Sequence, residues 1–276
     1  MRKFALILAV AALAALATSC TQLRARDQIN KGVAAFKSAQ YPEAVEHFKT
    51  AVELDPNFVT ARLYLATAYM QQYIPGSPEP ENVKMADESL HQFNIVLDQN
   101  PPDSAKIVAI ASIASLYLNQ KKWDDAEAEY RKLIAIDPNN KDAYYSIGFI
   151  TWSKWYVPYQ TARANANMKP EDPGPIKDKK IREELKGQYD GVIDDGLKSL
   201  DKALQIDPEY VDAMAYENLL IRERADLCTD KQDYEAQIKV ADQWIQNALD
   251  MKKKIAERKE KSGSAGGITL DTGTAK

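Results

Sequence analysis

Hydrophobic and small residues recur at helical spacing, in pairs of short segments, along most of the chain. The clearest pair lies in residues 27–57, DQINKGVAAFKSAQYPEAVEHFKTAVELDPN. Ala44, Phe48 and Ala51 follow one another at intervals of four and three residues, which places them on one face of a helix. The stretch closes at Pro56, which lacks an amide hydrogen and disfavours helical backbone in the residue before it. The pattern therefore predicts two amphipathic helices joined by a short turn.

Variants of this helix pair recur to about residue 250. The first pair resembles the tetratricopeptide repeat (TPR), a helix-turn-helix unit of roughly 34 residues. The resemblance rests on small, aromatic and proline residues at Gly32, Tyr41, Ala44, Phe48, Ala51 and Pro56. It implies an all-α fold, a right-handed α-solenoid of about five TPR-like helical hairpins, because one hairpin cannot bury its apolar face alone. The predicted repeats span about residues 25–58, 59–103, 107–140, 141–210 and 211–255.

The second repeat is longer than one TPR unit. Pro56 and Pro101 are 45 positions apart, about 11 more than one period of ~34 residues. Residues 74–82, IPGSPEPEN, contain prolines and a glycine that exclude a helix there. The sequence therefore predicts that the extra length lies in the turn between two helices, with the second helix resuming near Lys84.

The fourth repeat carries a longer insert. Pro138 and Pro208 are 70 positions apart, so about 36 residues have been added to one ~34-residue unit, at about residues 153–188. Trp155 and Tyr159 argue against plain disorder, because aromatic residues are scarce in disordered segments. Two hypotheses stay open: the insert folds over the concave groove of the solenoid, or it packs on the convex side and extends the stack.

The N-terminus has the parts of a secretory signal peptide over residues 1–19. Two basic residues precede an apolar run at 4–17, which is too short to span a membrane comfortably. Small residues then lead to Cys20, and the sequence ATSC resembles the bacterial lipobox. That resemblance implies that Cys20 is diacylated and that residues 20–24 form a lipidated tether. The alternative is an ordinary cleaved signal peptide followed by an incidental cysteine.

The anchor and the repeats together resemble bacterial TPR lipoproteins of the cell envelope. The resemblance implies a lipid-anchored protein, sorted to the outer membrane because Thr21 rather than Asp follows the cysteine, and facing the periplasm. The membrane is then a partner through the lipid anchor alone.

Composition limits the other partners. The chain has a net charge of −4, and removing Arg2 and Lys3 with a signal peptide leaves 34 basic against 40 acidic residues, or −6. This balance offers no general electrostatic reason to bind nucleic acid. Only two cysteines occur, Cys20 and Cys228, so no disulfide framework is predicted.

In the TPR family the first helix of each repeat lines a concave groove that binds proteins or peptides. Transferred by repeat position, the resemblance implies a partner-binding groove at Phe36, Lys37, Met70, Asn119, Tyr145, Phe149, Trp152 and Arg222. Tyr145, Phe149 and Trp152 recur at helical spacing, and aromatic residues dominate binding hot spots. The alternative is that these aromatic residues pack beneath the insert or into the next repeat.

No pattern in the sequence points to catalysis, a metal or a cofactor. His47 and His91 belong to different repeats and have no cysteine or carboxylate set at metal-ligand spacing. Phosphate-binding glycine loops and nucleophile or zinc motifs are absent. Cys228 has no histidine near it in sequence, which favours a small buried residue over a nucleophile. We therefore expect no enzyme and no cofactor.

The sequence thus predicts a membrane-anchored periplasmic scaffold that binds a protein or peptide partner through its groove. The alternative is a permanent structural subunit of an outer-membrane or envelope complex, using the convex face and the insert. Residues 256–276 are rich in small polar residues and are predicted to be a disordered tail. The basic run at 252–261 is interpreted as a solvated helix end, with contact to anionic lipid as the alternative.

Overall fold

The computed structural model describes residues 21–264, with side chains described to residue 261. The predicted signal peptide at 1–19, the lipidation site Cys20 and the last twelve residues, 265–276, lie outside this part of the chain. The described residues form ten helices and no strand. The helices are α1 (21–37), α2 (Tyr41–Leu54), α3 (Val59–Met70), α4 (Pro80–Asp98), α5 (Asp103–Asn119), α6 (Trp123–Ile136), α7 (Lys141–Asn165), α8 (Lys179–Ile206), α9 (Val211–Ala225) and α10 (Lys231–Ser264).

The helices pair as antiparallel hairpins, odd-numbered with even-numbered, and the chain divides into two compact units. The first unit runs to Pro138 and the second begins at Asn139. Close approach within a hairpin depends on small residues. A Cβ atom on Gly32 of α1 would lie 2.5 Å from Cε1 of Phe48 in α2, and one on Gly148 of α7 would lie 2.4 Å from Cγ of Leu200 in α8. Gly32, one of the small residues that carry the TPR resemblance, therefore allows α1 and α2 to approach closely.

The first unit contains α1 to α6 and two apolar clusters. Phe48 and Leu65 are buried in the cluster of α1, α2 and α3, while Phe93 and Ile113 are buried in the cluster of α3, α4 and α5. α3 also packs against α5, so the first helices of successive hairpins are neighbours here.

The long turn of the second repeat, residues 71–79, is ordered by one side chain. Asn82 is buried, its Oδ1 accepts from the Ile74 amide at 2.6 Å, and its Nδ2 donates to the Ile74 and Ser77 carbonyls at 2.9 and 2.8 Å. α4 begins at Pro80 rather than near Lys84, because proline is tolerated at the first position of a helix, where its missing N–H has no partner to lose.

The second unit contains α7 to α10 around a core centred on the fully buried Trp155. The predicted insert at 153–188 is largely helical rather than a loop: it lengthens α7 to Asn165 and starts α8 at Lys179. α7 continues through Pro158, although proline inside a helix costs about 3 kcal/mol. Burial of Trp155 and Tyr159 on the same segment offsets this cost, since a large buried apolar side chain contributes about 1.5–3 kcal/mol.

Only residues 166–178 of the insert are not helical, and they pack against the turn after α9. The Ile176 amide donates to the Asp226 carbonyl at 3.0 Å, and Arg182 of α8 donates to the Ile176 carbonyl at 2.6 Å. All described hydrogen bonds of residues 166–178 go to this turn, to α7 and α8, or within the segment. The insert therefore extends its own hairpin and is clasped to the next one.

Both ends of the described chain are more helical than expected. α1 already includes residues 21–24, which we predicted as tether. α10 continues to Ser264, whereas a disordered tail was predicted from residue 256, so that prediction is wrong for 256–264. Lysine and arginine are good helix formers and cations are favourable near a helix C-terminus, which explains the continuation. Within residues 21–264, no helix is both long enough and apolar enough to span a bilayer.

Candidate functional site

Aromatic side chains of α7 and α9 form a contiguous surface in the second unit. We call Tyr145, Phe149, Trp152, Tyr156 and Tyr216 the aromatic face. The ring of Tyr216 lies 5.7, 5.4 and 5.5 Å from those of Tyr145, Phe149 and Trp152 in edge-to-face contacts. Tyr156 lies 4.9 Å from Trp152 at the far end. Ring pairs at these distances attract one another through their quadrupoles, so α7 holds α9 partly through this row.

The aromatic face is only partly covered. Tyr145, Phe149, Trp152 and Tyr216 are half-buried, and Tyr156 keeps 40% of its surface exposed. The alternative, that these residues pack into the next repeat, therefore holds for the buried part of their surface. The rest of their surface is exposed to solvent.

The aromatic face continues toward the N-terminal ends of α7 and α9. Tyr210 lies 5.0 Å from Tyr145, and its hydroxyl donates to Oδ1 of Asp142 at 2.9 Å. Lys141 Nζ lies 5.0 Å from the centroid of the Tyr210 ring and 2.5 Å from Oδ2 of Asp207. Burial raises the pKa of Tyr145, with Tyr216 and Asp212 adding to the effect, so its hydroxyl stays neutral.

A buried carboxyl group lies beneath the aromatic face. Trp152 Nε1 donates to Oε1 of Glu223 at 3.2 Å, and the other oxygen of Glu223 has no hydrogen-bond partner among the described residues. Burial raises the pKa of Glu223 to about 7, the effect being reduced by the Trp152 hydrogen bond and enhanced by Asp226. The position of the Trp152 indole is thus tied to a carboxyl that titrates near neutral pH.

A second buried polar group clasps the insert to the end of α9. Arg163 and Asp226 form an ion pair in which both side chains are at least 95% buried, and the Tyr159 hydroxyl donates to Asp226 at 3.1 Å. Arg163 also donates to the carbonyls of Lys169 and Asp172 at 2.8 and 2.6 Å. Burial raises the pKa of Asp226, and Arg163 opposes that effect. These groups are too enclosed to meet a substrate, so their contribution is structural.

Not every predicted groove residue of the second unit joins the aromatic face. Tyr145, Phe149 and Trp152 do, through Tyr216. Arg222 instead donates to Asp242 of α10 at 2.6 Å and to its own-helix neighbour Asn218 at 3.1 Å. The guanidinium is therefore directed toward α10.

The four predicted groove residues of the first unit are distributed over three helices, α1, α3 and α5. Phe36 is half-buried and makes an edge contact with Tyr41 at 5.2 Å, while Lys37 next to it is exposed. Met70 packs against the cluster of α3, α4 and α5. Asn119 is exposed and lines a cleft of about 590 Å³ beside the long turn of the second repeat.

Tyr216, Tyr156 and the buried Asp226 were not predicted as site residues. Tyr216 follows Ala215, which lies 70 positions after Tyr145 and is its equivalent in the next repeat. The contact of Tyr216 with the preceding repeat depends on how the helices pack, and the position of a residue in its repeat does not show this packing.

Other candidate chemistry is weak in the described chain. His47 Nδ1 lies 2.8 Å from Oε1 of Gln28, and His91 is exposed on α4. Cys228 is half-buried and burial raises the pKa of its thiol, which disfavours the reactive thiolate. Among residues 21–264 no cluster of histidine, cysteine and carboxylate side chains could hold a metal ion.

Comparison with known proteins supports the architecture. A family model for the TPR repeat matches residues 32–72 and 114–154. A crystal structure of MamA protein is similar with a TM-score of 0.55 and 14% identity over 85% of this chain and 94% of that chain. The structure of MamA from Desulfovibrio magneticus RS-1 has a TM-score of 0.54 and 14% identity, over 84% of this chain and 96% of that chain. The structure of YrrB, described as a TPR protein with an unusual peptide-binding site, has a TM-score of 0.50 and 14% identity, over 82% of this chain and 90% of that chain.

These identities are low, so the solved structures show the fold alone. None of the curated proteins matches the sequence. The predicted fold class, an all-α stack of TPR-like helical hairpins with a long insert in the fourth, is confirmed.

Proposed function

We propose that the protein is a scaffold that binds an extended segment of a partner protein along the aromatic face of α7 and α9. The observation that carries the proposal is the row of half-exposed rings around Tyr216. Large aromatic side chains with a rigid setting dominate protein-binding hot spots because they bury much apolar area at low entropic cost. The TPR repeats of this chain, and the peptide-binding site described for YrrB, favour the same class of function.

The proposal includes an anchor in the bacterial envelope. The apolar leader followed by ATSC supports lipidation of Cys20, attachment to a membrane and a periplasmic, outer-membrane location. Metabolic labelling with a fatty-acid analogue tests the anchor. Wild type should incorporate the label and sediment with membranes, and Cys20→Ala should do neither. Equal labelling of both proteins would contradict lipidation at this residue.

The binding site is tested by capture of partners from gently solubilised membranes, comparing wild type with Phe149→Ala. Phe149 contacts Tyr216 at the centre of the face, and its side chain is a hydrocarbon without hydrogen-bonding atoms. Tyr64→Ala is a matched control, because Tyr64 is a 40% exposed aromatic residue of the first unit. Loss of the same partners in Phe149→Ala alone, with unchanged circular dichroism, is the expected result.

The alternative is a permanent structural subunit whose contacts run through the insert. Val157 favours it, because it leaves 65% of its surface exposed on the helical part of the insert. Partners retained by Phe149→Ala and lost by Val157→Ser would support this alternative against the groove.

A further inference from the structure

The aromatic face carries uncompensated negative charge at one end. Asp142 and Asp212 occupy the first turns of α7 and α9 and are both exposed. Asp142 accepts a hydrogen bond from Tyr210. Asp212 lies four positions before Tyr216 on α9, so the two side chains share one side of that helix. Its charge adds to burial in raising the pKa of Tyr145 and Tyr216, and it takes part in no ion pair among the described residues.

Two cations of these helices, Lys141 of α7 and Arg222 of α9, are already engaged with other carboxylates. Lys141 pairs with Asp207 at 2.5 Å, and Arg222 pairs with Asp242 at 2.6 Å. Neither is available to neutralise Asp212 without giving up its partner. The aromatic face therefore combines electron-rich rings with an unpaired carboxylate.

The structure also contains a cation on a ring that adjoins the aromatic face. Lys141 Nζ lies 5.0 Å from the centroid of Tyr210, which itself contacts Tyr145. Rings with a negative face attract ammonium and guanidinium groups within about 6 Å. The contact shows that the local geometry accepts a basic side chain over a tyrosine in contact with the aromatic face.

We propose that the partner segment presents a basic side chain, Arg or Lys, to the aromatic face, with its charge near Asp212 and its apolar neighbours on Phe149 and Trp152. This inference rests on the proposed binding function and adds the chemistry of the partner. The rings supply apolar contact and cation–π attraction, and the carboxylate supplies electrostatic complementarity.

The probes are three blocked peptides that differ in one residue. The first places Arg between two leucines with Gly-Ser flanks, the second replaces Arg by citrulline, and the third replaces it by Glu. Citrulline keeps the shape of Arg and removes the charge. Isothermal titration against the full folded chain should show the Arg peptide binding about tenfold more tightly than the citrulline peptide, and the Glu peptide binding more weakly than both.

Two variants and one control assign the effect to residues. Asp212→Asn should reduce the affinity for the Arg peptide several-fold and leave that for the citrulline peptide unchanged. Phe149→Ala should weaken both peptides. Asp98→Asn removes an equal charge from an exposed site on α4 in the first unit and should change neither. Circular dichroism should be unchanged in all three variants.

The outcomes separate this inference from the proposed function. Equal binding of Arg and citrulline peptides, both lost in Phe149→Ala, would overturn the basic-side-chain inference and leave the binding function standing. Tighter binding of the Glu peptide would do the same. Equal weakening by Asp212→Asn and Asp98→Asn would show only net charge at work and would also overturn it. Failure of all three peptides to bind would overturn the inference together with a peptide site on this face.

Discussion

Glu217 is a buried acid on α9 that should make the stability of the second unit depend on pH. Its side chain is 2% exposed, and its Oε1 has no hydrogen-bond partner among the described residues. Burial raises the pKa of Glu217 from 4.5 to about 8, with a further contribution from the Asp201 carboxylate. The folded chain therefore keeps this proton at pH values where the unfolded chain has released it.

The sign and size of the effect follow from linkage. Between the unfolded value of 4.5 and the folded value of about 8, the folded state binds more protons, so the free energy of unfolding falls as pH rises. The stabilisation is fully present below pH 4.5 and lost as pH approaches 8. The difference between the two pKa values corresponds to about 5 kcal/mol in total, of which about 4 kcal/mol falls between pH 5 and pH 9.

Glu217→Gln removes the titration and keeps the shape. The free energy of unfolding of the variant minus that of wild type should increase by about 4 kcal/mol between pH 5 and pH 9. Urea unfolding at several pH values, followed by the fluorescence of Trp152, Trp155 and Trp244 in the second unit, measures this difference. Glu184→Gln on exposed α8 surface is the matched control and should run parallel to wild type.

A constant offset between Glu217→Gln and wild type at every pH would refute the reasoning. It would mean that the carboxyl ionises with the same pKa in the folded and unfolded chains, or that water reaches it. If wild type lost stability relative to Glu217→Gln only at low pH, the predicted direction of the pH dependence would be refuted.

Three further changes test the packing. Arg163→Met should cost about 3–5 kcal/mol, because it leaves Asp226 buried without its partner; urea unfolding and faster proteolysis at 166–178 should both report it, and unchanged proteolysis would contradict the clasp. Gly148→Ala should cost about 1–3 kcal/mol through overlap with a leucine of α8, whereas Gly187→Ala, with open space around it, should be neutral or slightly stabilising in a thermal melt. Asn82→Ala should cost about 1–3 kcal/mol, because the amide and carbonyl groups that Asn82 binds lose their partner. A protease of broad specificity should then cleave residues 71–79 faster than in wild type.

The local pattern of the chain was sufficient to predict its helical hairpins. Small residues such as Gly32 marked positions of helix contact, and Pro56, Pro138 and Pro208 marked the ends of repeats. These signals are local because helical spacing decides which residues share a face, and a proline acts on its own and the preceding residue. The helical solenoid class follows from stacking such units.

The insert and the site depended on contacts that no local pattern encodes. The spacing of Pro138 and Pro208 predicted the insert, and it did not predict that α7 would continue through Pro158 with Trp155 buried. The Arg163–Asp226 ion pair joins residues 63 positions apart.

Tyr145, Phe149 and Trp152 were predicted as one group, and their common contact with Tyr216 was not. The position of a residue in its repeat predicts which side of a helix faces a groove. It does not predict which ring, carboxyl or guanidinium occupies the space between two particular helices. That choice follows from the volumes and charges that meet there, and only the tertiary structure brings them together.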